Sequence, residues 1–124
     1  MGRPAAVVVQ LVDDQLVRVT RFEFTAGAET GSHTHSMDYV ITAVTDCQMQ
    51  LEDPDGQVRN VLVPAGAAYR RDAGVQHNVI NTGAVPMFLL KLKLDHKASR
   101  CFLSYIFCAT AKQFGILKTG CRER

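Results

Sequence analysis

Tryptophan is absent from this chain, and aromatic side chains of any kind make up only 7% of its 124 residues. Its longest apolar stretch, "CFLSYIFCA" from residue 101, falls far short of the roughly 20 residues that a membrane helix needs. No positively charged segment followed by an apolar core opens the chain, so a soluble, cytoplasmic protein with no membrane partner is expected. The start "MGRPAA" carries alanine where the myristoylation pattern wants serine or threonine. Cysteine is scarce: Cys47, Cys101, Cys108 and Cys121 match neither a zinc knuckle nor a C-x-x-C redox pair. Reduced thiols are the expectation where no secretion signal is found.

Also missing is a basic stripe interleaved with aromatics, so no nucleic-acid partner is expected. The net charge of +2 conceals an asymmetry, because residues 1–96 carry 8 Lys and Arg against 11 Asp and Glu, whereas residues 97–124 carry 6 against 1. The body is mildly acidic and the tail is basic.

What is present is an ordinary globular composition, 47% apolar and 21% charged, without repeats, in a length typical of one domain. Short β-branched or aromatic runs recur between turn residues: "AVVVQLV", "QLVRVTRFEF", "DYVITAV", "CQMQLE", "VRNVLV", "AAYRR", "VQHNVI" and "MFLLKLKL". That rhythm predicts an all-β sandwich or barrel. Asp13-Asp14, "DPDG" from Asp53 to Gly56, "VPAG" and "NTGAVP" supply the breaks, with Pro and Gly where tight turns want them.

In the last run Phe88, Leu90, Leu92 and Leu94 share one parity and Lys91 and Lys93 the other. Period-2 alternation places the leucines in the core and the lysines in water. In the second run the apolar parity changes between Val17 and Val19 and the pair Phe22 and Phe24, which predicts a bulge near Thr20-Arg21. After Lys97 the strand rhythm stops. Leu103, Phe107, Thr110, Phe114 and Leu117, widened by Phe102 and Ile106, recur at helical intervals, so a C-terminal helix over about Ser99 to Lys118 is one expectation. An extension with no evolved role is the other.

The chemistry concentrates in "GAETGSHTHSMDYV". On an extended strand His33 and His35 lie on one face about 6.5–7 Å apart, and their imidazoles can aim at one ion at about 2.0–2.1 Å. A bare His-x-His is more often two polar residues on a strand face than a pair of ligands, so a metal site requires a third ligand. His77 supplies it in "GAAYRRDAGVQHNVIN", on a segment bounded by turns.

The spacing of these stretches resembles the two motifs of the cupin superfamily. The first runs Gly27, five residues, His33, one, His35; the second runs Gly66, five, Asp72, one, Gly74, two, His77, three, Asn81. Three glycines at prescribed offsets coincide by chance at roughly 3 in 10,000, since glycine fills about 7% of positions. The resemblance covers residues 5–96, with 18 residues between Cys47 and Gly66. "DYVIT" and "HNVINTGAVP" are similar to small single-domain cupins, some of which occur in β-alanine degradation.

Two departures bear on function. The glutamate of the first motif falls at Val40 and its closing glycine at Cys47, and the proline of the second motif is Asp72. The usual carboxylate ligand is therefore missing. Asp38, on the parity of Val40, replaces it if the chain turns sharply after His35, with Tyr39 ranking behind. Three imidazoles alone suit one divalent transition ion (Fe, Zn, Ni or Mn) with positions left open for a small-molecule ligand.

Other residues have two readings each. Tyr69 and Arg71 share parity and either face inward to hold a substrate carboxylate or belong to a solvated face. Gln48, with Gln50, either lines the cavity or faces water. Val40, Thr42 and Val44 are expected to wall the pocket. Asn81 orients a ligand or, as Asn commonly does, caps the Asn-Thr-Gly turn. His96 reads as a surface histidine and Cys47 as inert.

These readings imply a cupin-type β-barrel, or jelly roll (double-stranded β-helix), over residues 1–97 and an extension over 98–124. The resemblance implies pairing through edge strands, and "AVVVQLV" is the apolar candidate for a homodimer edge. The functions left standing are a metalloenzyme for a small organic acid, of dioxygenase or Lewis-acid type; a binding module without turnover; and, last, a sugar-phosphate isomerase. One fold hosts all of these.

Overall fold

A computed structural model describes residues 2–94. The expected helix from Ser99, the extension 98–124, His96 and the three tail cysteines lie outside the described residues.

Among the described residues, nine strands follow the turn punctuation closely: β1 (Val7–Asp13), β2 (Val17–Phe24), β3 (His33–Thr34), β4 (Tyr39–Ala43), β5 (Cys47–Glu52), β6 (Val58–Val63), β7 (Ala68–Arg71), β8 (Gln76–Asn81) and β9 (Met87–Leu94). They form a five-stranded sheet in the order β1-β2-β9-β4-β7 and a four-stranded sheet in the order β3-β8-β5-β6. The fold is an all-β jelly roll. The sheets face each other across the core and are not joined into one hydrogen-bonded barrel.

The turns behave as their residues dictate. In "DPDG" the Gly56 amide donates to the Asp53 carbonyl at 3.0 Å and the Asp53 amide to Gln57 at 2.8 Å, closing β5 onto β6. Buried Asn81 caps the turn after β8: its Oδ1 accepts from the Gly83 amide at 2.9 Å. Its Nδ2 donates to the carbonyls of Phe24, Thr25 and Val85. The amide thereby ties the end of β2 to the β8–β9 turn, and Asn81 is not among the residues lining the pocket described below.

The core holds Phe24, Tyr39, Ile41, Met49, Leu51, Met87 and Leu89, and its composition corrects two expectations about parity. In β9 it is Met87 and Leu89 that are buried, while Phe88, Leu90 and Leu92 are half-buried and Leu94 is exposed. The register explains this. Lys91 pairs with Thr20 of β2 and Ile41 of β4, both inward-facing and buried, and Leu92 pairs with Val19 and Val40. Lys91 thus faces inward, and the outer sheet face carries Val17, Val19, Val40, Leu90, Leu92 and Leu94. For the same reason Tyr39, Ile41 and Ala43 face the core, whereas Val40, Thr42 and Val44 face out.

The bulge also moves. β2 pairs with β9 in unbroken register from Val17↔Leu94 to Phe24↔Met87, so Thr20-Arg21 is regular. The extra residue lies in β1 between Gln10 and Val12, opposite Val19 and Thr20. Val17 and Val19 are apolar because the outer face is apolar, not because β2 slips.

Candidate metal centre

The three motif histidines meet between the sheets. His33 pairs directly with His77 across β3 and β8, and such cross-strand pairs place their Cβ atoms about 4.5–5.5 Å apart on one face. His35 follows two residues on, its amide donating to Val75 at 2.9 Å, while its carbonyl accepts from the Gly74 amide at 2.7 Å. Gly74 has φ +94°, a left-handed conformation that glycine adopts without strain. It turns the chain from β7 into β8 and brings His77 against the first motif.

Nε2 of His33 lies 3.0 Å from Nε2 of His35, which lies 3.1 Å from Nε2 of His77. Donors held about 2.0–2.1 Å from one ion at tetrahedral or octahedral angles stand roughly 2.9–3.4 Å apart. Both separations fall in that window. The Nδ1 hydrogen of His33 donates to the Gly31 carbonyl at 2.9 Å, which fixes the tautomer that leaves the Nε2 lone pair facing inward. Burial, reinforced by neighbouring cationic and imidazole groups, pushes His35 down to about 3 and His77 to about 4, and it lowers His33 too. All three are neutral at physiological pH, the form that ligates metal. The donor set therefore fits one divalent transition ion.

The triad lines a pocket that is partly open to solvent. Phe22, Phe24, Tyr39, Ile41, Tyr69, Leu89 and Lys91 come from the five-stranded sheet, and Met49, Val79, His33 and His77 from the other, with Thr30 and His35 beside them. The Tyr39 ring stacks on His35 at 3.9 Å between centroids. Its hydroxyl is buried without a hydrogen-bond partner among the described residues, and burial pushes its pKa up to about 12. Lys91 places its ammonium 4.5 Å over the Phe22 ring, a cation–π contact, and burial lowers its pKa to about 8.

Of the other residues read from the sequence, Asp38, Arg71 and Gln48 lie outside the pocket lining. Asp38 is outside the histidine cluster: its Oδ2 accepts from Arg70 at 2.7 Å and its Oδ1 from the Ala73 amide at 2.8 Å. Tyr39, not Val40, is the inward residue where the sequence offered a fourth ligand. Tyr69 lines the pocket as expected of an inward residue, and burial raises its pKa. Arg71 shares that face by its pairing with Tyr39 but is exposed, its guanidinium 5.4 Å from the Tyr69 ring centroid, and it is not a lining residue. Gln48 is exposed on the opposite face of β5 from buried Met49. Cys47 is fully buried with its pKa raised by burial, the setting of an inert thiol. The sequence ranks Tyr39 only behind Asp38 as a ligand and places Lys91 in water, whereas both line the pocket. The available signal for Lys91 was the parity of Met87 and Leu89.

The Cupin domain family matches residues 20–92 of the chain. The chain belongs to the cupin family. This cupin is 51% identical over 83 residues to the β-alanine degradation protein BauB of Pseudomonas aeruginosa, a match covering 67% of this chain and 86% of BauB. It is 37% identical to a crystallised cupin domain of Bordetella pertussis Tohama I, with a TM-score of 0.73 over 77% of this chain and 98% of that one. The polyketide cyclase RemF of Streptomyces resistomycificus shares the fold alone: 22% identity and a TM-score of 0.59 over 76% of this chain and 70% of RemF.

Proposed function

We propose that this cupin is a metalloenzyme acting on a small organic acid, with His33, His35 and His77 holding one divalent transition ion. The observation that carries the reading is the convergence of three neutral imidazole Nε2 atoms at ligand spacing in a largely apolar pocket. Similarity to BauB, named for β-alanine degradation, supports a small carboxylic or amino acid as the substrate class. When bound, such an ion supplies Lewis acidity, and iron adds chemistry with dioxygen. The chain's own residues do the rest. Gly31 orients the His33 ring, Phe22, Phe24, Met49 and Leu89 exclude water, and Tyr39 keeps its phenolic proton available as a hydrogen-bond donor.

A binding module without turnover is the second reading. It is favoured by the absence of any carboxylate from the histidine cluster among the described residues, which removes the most obvious general base. We propose also that the chain self-associates through β1, an edge strand whose residues from Val7 to Val12 are uncharged and mostly exposed. A second copy supplies the chemically matching strand, since the edge carries no charge from Val7 to Val12 and its one charged residue, Asp13, stands at its end.

Metal analysis of protein purified without added metal or a histidine tag tests the centre. Near one ion per chain is expected in the wild type and none in His33→Ala/His35→Ala; equal content in both would sink the assignment. Turnover of small organic acids by the loaded wild type separates the enzyme from the module.

A further inference from the structure

The pocket contains a cation that its walls do not balance. Lys91 is the one residue among its lining that carries a full charge at neutral pH, and no Asp or Glu lines it. The ion pairs of the described residues are all made by arginines, and the Lys91 ammonium rests on the Phe22 ring instead. A desolvated ammonium without an anion is costly, and a divalent ion at the histidines would add charge of the same sign. Lys93 adds to it, half-buried on the same sheet face and paired with Tyr39.

Tyr39 is the second unsatisfied group in the pocket. It is 3% exposed, it lines the same pocket, and its hydroxyl has no partner among the described residues. A buried hydroxyl normally finds one. Tyr39 and Lys91 are diagonal neighbours on adjacent strands, since Lys91 pairs with Ile41 and Lys93 with Tyr39, and diagonal pairs are within reach of long side chains. A carboxylate brings two acceptor oxygens and one negative charge, enough to satisfy both groups.

We propose that Lys91 and Tyr39 form the carboxylate subsite of this pocket, holding the anionic end of a small monocarboxylate whose remaining polar group faces the three histidines. This rests on the reading of the pocket as an organic-acid site, and it assigns the anion to Lys91 in place of Arg71. The subsite explains why a lysine stands on the inner face of β9 where Met87 and Leu89 precede it.

The test is an NMR titration of isotope-labelled protein, metal-free and zinc-loaded, with propionate and with its uncharged analogue propionamide. Wild type should bind propionate at least about tenfold more tightly than propionamide, the scale of one charge-assisted hydrogen bond. Lys91→Met should abolish that preference with metal content unchanged, Lys91→Arg should retain most of it, and Tyr39→Phe should weaken it in part. Equal affinity for the two probes in wild type, or an undiminished preference in Lys91→Met, would overturn the subsite. Metal content measured on the same samples keeps the two ideas apart. A propionate preference in protein that cannot be loaded supports the subsite while removing the metal centre, and loaded protein without the preference does the reverse.

Discussion

An unfolded chain takes up protons at histidine below about 6.5, whereas His35 and His77 resist protonation down to about 3 and about 4. Their stabilising contribution is therefore complete above 6.5 and is lost as pH falls toward 4 and below. Calorimetry of metal-free protein should show Tm falling across that window, and His35→Asn should flatten the fall. An unchanged slope would show that His35 is not buried in its neutral form. His33, His35 and His77 are legible from sequence because strand parity and a glycine-punctuated spacing are local properties. Lys91 is not, and Tyr39 is only as a lesser ligand candidate, because their direction depends on which face of a sheet is buried, and that is decided by partners far away in sequence. The leucines of β9 mislead for this reason: hydrophobicity marks a buried face only when the opposite face is polar, and here the outer face is apolar too.

At the scale of elements, eight of the nine strands were readable as short apolar runs. β3 was not, being only two residues long and defined by its pairing with β8. The change of parity in β2 reflects its apolar outer face and no slip of that strand, while the inserted residue sits in β1 across from it. The turns were better guides, since their conformation is written in the residue itself. Gly74 is the case that matters for the site: a Cβ there would meet no atom within 4 Å, so substitution costs backbone strain alone. Gly74→Ala should destabilise the protein by about 1–3 kcal/mol, lowering Tm by about 5 °C or more. Because the Gly74 amide holds the His35 carbonyl, metal affinity should fall with it. A metal titration that matches wild type would show that the turn does not position His35.

For the whole molecule, the jelly roll followed from many short strands at close spacing, but the order β1-β2-β9-β4-β7 did not, since it rests on pairings between distant segments. That order leaves β1 at an edge, with Val7 56% and Val8 59% exposed on opposite faces. Sedimentation velocity should find a dimer, and Val8→Lys, which removes no buried side chain, should shift it toward monomer. A wild type that stays monomeric at every concentration would rule out the edge.

The pairing of β3 with β8 joins segments far apart along the chain. His35 and His77 are 42 residues apart in sequence, and His33 sits on the shortest strand of the fold while His77 lies on a strand flanked by β3 and β5. An ion shared between them is a cross-link. Treated with the chain entropy used for disulfides, a closed loop of this size constrains the unfolded chain by about 4 kcal/mol, comparable to much of a small domain's net stability. The three histidines would then act as a clasp, tying a two-residue edge strand to the interior of its sheet.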